Sequence, residues 1–331
     1  MRALVTGGTG FFGRYIVKRL LARGDDVTVL ARASSDTARL EEQGVGIVRV
    51  DLADLDGGEN PLEGVDVVYH AGARVVSFGD WEEFEAANVA ATRSLIEKAM
   101  QAGVRRFVHV SSLGIFEIPK AGVTISEDSD YDHEPNLRGY YTRSKIHADR
   151  VACEAARSGL PVVVVRPGRI YGYDHPSQPL FMGRVKKRLF GNTWAVVSRP
   201  DYFAPIAYVE NAADAVVRAG TKEGIEGRIL NIVDDPDLTQ RKYFAAVDQA
   251  QRRHGQGLRI LYFPVGLFLP AVVAASWMFR VLKRRSWSVA YQLRRSGRNA
   301  FYRTDSARSV LGWEPQIGLD EALEITVNGA E

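Results

Sequence analysis

A chain of 331 residues, 46% hydrophobic and 25% charged, can bury a large core as one big domain or two lobes. Its single cysteine, Cys153, excludes an intramolecular disulfide and a cysteine-rich metal site. Six scattered histidines with no H-E-x-x-H pattern leave little case for a catalytic metal. A strand-like run begins at residue 2, which leaves no room for a secretory leader, so a cytoplasmic location is expected.

The opening stretch, Met1 to Arg14, reads MRALVTGGTGFFGR. Ala3-Leu4-Val5 is a short apolar run, Thr6 to Gly10 is a glycine-rich break, and an amphipathic stretch follows from Phe11 to Arg23. Strand, glycine turn and helix in that order are what a dinucleotide-binding βαβ unit requires. Gly7 allows the tight turn, Gly10 lets the backbone approach a pyrophosphate, and Gly13 lets the helix pack close on the strand. The helix N-terminus then offers unpaired N–H groups to the phosphates. The spacing is G-x-x-G-x-x-G rather than G-x-G-x-x-G, a weak signal by itself, with a plain structural turn as the lesser alternative.

Further apolar runs follow at Val27 to Ala31, Gly46 to Val50, Val65 to His70, Arg106 to Val110 and Pro161 to Arg166, with helical patterns between them. This alternation predicts an α/β fold with a Rossmann-like, doubly wound parallel sheet over residues 1–168. From residue 169 to 331 the regularity fails, which predicts a smaller mixed substrate lobe, with a segment around 204–232 returning to the first domain.

The second run ends in Ala31-Arg32. An NAD-preferring site usually places Asp or Glu here for the ribose hydroxyls, whereas a guanidinium can grip a 2′-phosphate. NADP(H) is therefore favoured, with NAD(H) as the other possibility and an ordinary surface arginine as the bland reading of Arg32. Asp51 and Leu52, after the third run, either cap the adenine edge or form a simple turn. His70-Ala71-Gly72-Ala73 ends the fourth run, and its small residues let the backbone pass beside a flat ligand. His70 itself reads better as a hydrogen-bonded core residue than as a catalytic one. Asn88 is a structural polar anchor or a member of a proton relay.

The chemistry lies in two places. Ser111-Ser112 stands at the carboxyl end of the fifth run, where ligands bind in open α/β sheets. Tyr141 and Lys145, at i and i+4, share one helix face. A lysine ammonium near a phenol lowers its pKa, so Tyr141 can exchange a proton with a substrate oxygen held by Ser112. Lys145 can also reach the nicotinamide ribose.

Together these stretches resemble the extended short-chain dehydrogenase/reductase superfamily over nearly the whole length. The resemblance also includes Arg166-Pro167-Gly168-Arg169-Ile170-Tyr171-Gly172, Tyr208 to Ala215, and Asp305 with Leu311-Gly312-Trp313-Glu314-Pro315. It implies that Ser112, Tyr141 and Lys145 form the catalytic triad. It also implies that Gly7, Gly10, Phe11, Phe12, Gly13, Ala71, Lys145 and Pro167 face the cofactor, and that a homodimer forms through the tyrosine-bearing helix. Leu113-Gly114 stands where related sugar dehydratases carry Asp-Glu, and Arg169 where many nucleotide-sugar enzymes carry Asn. Tyr208 to Ala213 is closer in character to the 3β-hydroxysteroid dehydrogenase branch.

Ile260 to Phe279 is a run of twenty uncharged residues. It is followed by Lys283, Arg284, Arg285, Arg294, Arg295, Arg298 and Arg303 with no acidic residue among them. Pro264 and Pro270 interrupt a continuous helix. A monotopic hairpin with residues 283–298 on an anionic lipid surface, a buried cap of the substrate lobe, and a true span are the three readings. The first places the protein peripherally on the inner face of the membrane. The expected activity is an NAD(P)-dependent interconversion of hydroxyl and ketone on a lipophilic, steroid-like or polyketide-like molecule. Nucleic acid is not an expected partner. The alternatives are a nucleotide-sugar 4-epimerase or reductase, and a non-catalytic NADP-sensing scaffold.

Overall fold

The structure, a computed structural model, describes residues 1–52, 55, 60–132, 139–176, 192–283 and 288–329. Seven strands form its central sheet: β1 (Arg2–Thr6), β2 (Asp26–Ala31), β3 (Gly46–Arg49), β4 (Val67–His70), β5 (Arg106–Val110), β7 (Val162–Pro167) and β11 (Ile229–Ile232). Their order is β11-β7-β5-β4-β1-β2-β3, and every pairing is parallel. Runs such as Val162–Val165 are apolar throughout because a parallel sheet is covered on both faces. The strand order turns outward in both directions from β1 and β4, which opens a crevice at the carboxyl ends of the strands.

Helices cover both faces. On one, α1 (Phe11–Ala22) packs through Ile16, Val17 and Leu20 beside Ala212, Ala213 and Val216 of α6 (Val209–Thr221). Lys18 and Arg19 of α1 reach Glu210 and Asp214 of α6 at 3.0 and 3.1 Å. On the other face, α4 (Ala91–Ala102) contributes Leu95, Ile96 and Ala99, and α5 (Tyr140–Arg157) contributes Ala152 and Ala155. Short α2 (Ala38–Glu42) precedes β3. Short α3 (Trp81–Phe84) runs through a π-helical turn, Glu85–Ala90, into α4.

The smaller layer is built from three two-stranded parallel pairs: β8 (Arg169–Tyr171) with β10 (Ile206–Tyr208), β9 (Thr193–Val197) with β12 (Arg259–Phe263), and β6 (Val123–Ile125) with β13 (Ala300–Tyr302). Helices α7 (Gln240–Arg253), α8 (Val265–Lys283), α9 (Val289–Ser296), α10 (Asp305–Leu311) and α11 (Leu319–Asn328) complete the chain. Two sequence motifs prove to be contact partners. Trp313 is fully buried and donates its Nε1–H to the Asn211 carbonyl at 3.1 Å. The Asn211 side-chain oxygen accepts from the Gln316 and Ile317 amides, each at 3.1 Å.

The uncharged run at 260–279 takes a form that differs from each of the three readings. Its first residues are strand β12, and its remainder enters a single helix, so no hairpin forms. No helix among the described residues is long and apolar enough to cross a membrane. Nor is α8 a buried cap, because one side of it is exposed along its length. Pro264 falls at the strand–helix junction, where no intrahelical bond is lost, and the helix continues through Pro270. Arg284 and Arg285 lie outside the described residues. Arg295 departs from the lipid-facing set: it turns inward, donating to the Phe116 carbonyl at 2.9 Å and to Asp132 at 3.2 Å.

Asp234 accepts from the Tyr208 amide at 2.7 Å and from Asn211 Nδ2 at 3.1 Å. Burial nevertheless raises its carboxyl to about 7. A folded-state pKa above the unfolded one means that ionisation disfavours the fold. The stability is therefore complete below about pH 4 and is lost as pH rises to about 7. Asp234→Asn keeps the acceptor and removes the charge. Urea midpoints should show the variant gaining on the parent between pH 5 and pH 8, and a constant difference over that range would refute the assignment.

Candidate active site

The glycine loop has the geometry its sequence suggests. Gly7 has φ +72°, and a Cβ on it would lie 2.8 Å from the backbone of Gly72. A Cβ on Gly13 would meet the Gly7 carbonyl oxygen at 2.0 Å, so α1 can approach the turn only without a side chain there. Gly10 starts α1 with no side-chain cap and no acidic residue in the first turn. The leading N–H groups and the partial positive charge of the helix are thus left for an anion, which fits a dinucleotide pyrophosphate. Phe11 and Phe12 have only their backbone amides to offer such an anion, because their rings are occupied elsewhere. Phe11 edges onto His175 at 4.6 Å, and Phe12 packs on the core.

Arg32 follows β2 directly and is exposed. A second guanidinium, Arg49 at the end of β3, opposes Ala31 across the sheet. It donates to the carbonyls of Arg32, Ala33 and Ser35 at 3.4, 3.2 and 2.9 Å, and to Thr37 Oγ1 at 2.5 Å. Arg49 therefore shapes the loop that carries Arg32, a role that nothing local in the sequence signals. Asp51 is exposed near this edge, whereas Leu52 packs against the α4–α5 core.

His70 is a buried core residue, held between Thr6 Oγ1 at 2.7 Å and Thr92 Oγ1 at 2.8 Å. Burial, with help from the Lys145 charge, lowers its pKa to about 3, so it stays neutral. Thr6 Oγ1 also accepts from the Gly72 amide at 3.0 Å, which places Ala71 and Gly72 directly against the glycine turn. Asn88, in the π-helical turn, is an anchor: its oxygen accepts from the Arg74 amide at 2.6 Å, and its Nδ2 donates to Ser144 Oγ at 2.8 Å. It ties the loop after β4 to the helix that bears Tyr141.

The three proposed catalytic side chains meet at the carboxyl end of β5. Ser112 starts a 3₁₀ turn, and its Oγ accepts from the Gly114 amide at 3.0 Å. The Tyr141 phenol is hydrogen-bonded to Ser112. Lys145 is buried and donates to the Val110 carbonyl at 2.6 Å. The lysine does not lower the Tyr141 pKa as its spacing suggests. Burial raises the phenol, and the group that offsets it is Ser112. Burial also lowers the Lys145 ammonium to about 8, with Asp149 acting in the opposite direction. Pro167 ends β7 within the sheet, paired with Ile232.

Sequence reading missed the support behind this trio. Asp149, one further turn along the Tyr141–Lys145 face, is fully buried and receives Arg166 Nη2 at 2.6 Å and Nε at 3.2 Å. Tyr131 donates to Asp149 at 2.8 Å, and Arg166 donates to the Glu127 carbonyl at 2.7 Å. The available signal was an acid at i+8 from the tyrosine, on the same helical stripe.

A Rossmann-type sheet, a glycine turn fitted to pyrophosphate and a Ser–Tyr–Lys cluster define an NAD(P)-dependent enzyme of the extended short-chain dehydrogenase/reductase type. The model of the NAD dependent epimerase/dehydratase family matches residues 3–232, and the chain belongs to that family. Among similar proteins is sterol demethylase protein B of Methylococcus capsulatus, 40% identical over 187 residues. That match covers 56% of either chain, so this chain spans just over half of that relative's length. The sterol-4-alpha-carboxylate 3-dehydrogenase (decarboxylating) of Dictyostelium discoideum is 24% identical, over 97% of this chain and 98% of the relative. Among solved structures, gox2253 superposes with a TM-score of 0.79 at 24% identity, over 98% of this chain and 96% of that one. MoeE5 in complex with UDP-glucose and NAD gives 0.72 at 23% identity, over 99% and 97%.

Among the described residues the Tyr141 hydroxyl has no hydrogen-bond partner other than Ser112, so its removal should be structurally silent. Tyr141→Phe should retain the circular dichroism spectrum and cofactor affinity while turnover falls at least about a hundredfold. Near-normal turnover in that variant would remove Tyr141 from the mechanism.

Proposed function

We propose that this protein interconverts a hydroxyl and a ketone on a lipophilic, steroid-like or polyketide-like molecule, using NADP(H). The observation that carries the reading is the Ser112–Tyr141 hydrogen bond at the end of β5. Leu113-Gly114 follows the serine and provides no acid–base pair for dehydration. When bound, the nicotinamide supplies or accepts the hydride. Ser112 orients the substrate oxygen, and Tyr141 gives that oxygen a proton in reduction or takes it in oxidation. Lys145, held beside β5 with its charge supported by Asp149, is in reach of the nicotinamide ribose.

Substrate class is inferred from two features. Arg169, in place of an asparagine, puts an exposed cation at the start of the small layer, and a guanidinium there suits an anionic group on the substrate. The Dictyostelium relative is named for a sterol 4-carboxylate, and a relative in Stenotrophomonas maltophilia, 25% identical over 98% of this chain, is named 2-alkyl-3-oxoalkanoate reductase. Both names describe lipophilic molecules with an acid near the reacting carbon, which Arg169 suits. Assays with a 3β-hydroxysteroid 4-carboxylate and a 2-alkyl-3-oxoacid should show cofactor-dependent turnover. Turnover of UDP-glucose instead would favour the nucleotide-sugar reading, and none with any of them would favour a sensing scaffold.

The cofactor preference rests on Arg32 standing next to Ala31 with no acid at the strand end. Losing a charge-assisted phosphate contact costs about 1.5–3 kcal/mol. Arg32→Ala should weaken NADPH binding at least tenfold and leave NADH nearly unchanged in fluorescence titrations. Tighter binding of NADH than NADPH by the parent protein would overturn the preference.

A further inference from the structure

Helix α8 is apolar on the side that faces solvent. Leu267, Trp277, Met278, Val281 and Leu282 are 65, 65, 55, 57 and 72% exposed. At 3.6 residues per turn they fall on one stripe with Pro270, Ala271 and Ala274, which are exposed as well. Phe268, Val272, Ala275, Ser276 and Phe279 make the less exposed side. A surface helix normally turns its polar residues outward, and α8 reverses that rule. Monomeric soluble proteins rarely leave a contiguous apolar stripe of this length open to water.

The chain that carries the stripe is basic. Between Asp248 and Asp305 there is no acidic residue, and there are eleven basic ones. Arg252, Arg253, Arg295 and Arg303 are paired with carboxylates. The Arg298 pKa is lowered by burial and then by the Arg294 charge, with Asp132 acting in the opposite direction.

The stripe is also linked to the active site. Helix α8 packs on α9, whose Tyr291 ring fills the space beside Gly139 at the start of α5. Ser288, at the head of α9, donates to the Ser77 carbonyl from its amide at 2.8 Å and from its hydroxyl at 3.1 Å. On either side of Ser77, Val75 and Phe78 are 66 and 47% exposed. Val75 and Phe78 thus stand beside the segment that α9 ties down, and α9 in turn joins α8 to the helix that begins with Tyr140 and Tyr141.

We propose that the outward stripe of α8, with Val75 and Phe78, seats this protein in the headgroup boundary of an anionic bilayer, from which a lipophilic substrate enters the site. The entry half of the proposal rests on the lipophilic reading of the substrate. A helix lying in the interface buries its apolar side at the acyl boundary while nearby cations meet anionic headgroups. A second copy is a poorer occupant, because self-association would bring two like-charged tracts together.

The test is flotation of the full chain with phosphatidylcholine vesicles, with and without phosphatidylglycerol. Binding should require the anionic lipid and weaken in 0.5 M salt, since each basic residue near the surface adds roughly fivefold to affinity. Trp277→Gln with Leu282→Gln replaces exposed side chains and should lower partitioning at least tenfold, leaving turnover of a water-soluble short-chain ketone unchanged. Equal flotation of parent and double variant would overturn the proposal. So would the absence of flotation in the parent, whether it sediments as a monomer or as a dimer that the double variant dissociates. Flotation needs no substrate, so it fails or succeeds independently of the turnover assays. If the protein floats but turns over only UDP-glucose, the docking surface stands and the entry route falls.

Discussion

The buried pair of Asp149 and Arg166 holds the active site in place. Both side chains are almost completely withdrawn from water, at 0 and 2% exposure, and their contact is bidentate. Desolvating two charges is expensive, and the pair is favourable only while every lone pair and N–H is satisfied. Here Tyr131 and the Glu127 carbonyl complete the set. Removing one partner from such a pair typically costs 3–5 kcal/mol, because the other charge is stranded. Asp149 lies on α5, and Arg166 on β7. Their contact therefore fixes the rotation of α5 about its axis, and with it where Tyr141 and Lys145 point.

The same dryness sets the protonation states above the pair. His70 is kept neutral, the Tyr141 phenol is pushed up, and Lys145 is drawn down to about 8. Without Asp149 nearby, burial alone would lower the lysine further. The acid thus has two effects: it orients the helix, and it supports the charge of the buried Lys145 one turn away. Ser112 opposes burial at the phenol by hydrogen bonding, which is the same function at shorter range.

On the other side of the cleft, the small layer is held to the sheet by contacts distant in sequence. Trp313 and Asn211 lock the C-terminal segment onto α6, and β13 crosses back to pair with β6. Helix α9 bridges the loop after β4 and the start of α5. Helix α8 has one side in solvent, and among the described residues its apolar outer side has no counterpart of the same length.

Features written in consecutive residues could be read without a structure. The glycine turn depends on local backbone freedom and close approach at Gly7 and Gly13. The parallel sheet depends on apolar runs alternating with helical ones, and Tyr141 and Lys145 share a face because 3.6 residues make a turn. His70 as a core residue followed from its place at the end of an apolar strand. What folding alone decided is which distant groups meet. Nothing near Arg49 shows that it organises the Arg32 loop, and nothing near Arg166 shows that it closes on Asp149. Arg295 looked like one more cation in a basic run until Asp132 and the Phe116 carbonyl were found beside it. The twenty uncharged residues at 260–279 have the same composition whether they are buried, spanning or exposed. Their division into a strand and a half-exposed helix depends on β9 and α9, whose contacts cover one side of the segment and leave the other in solvent.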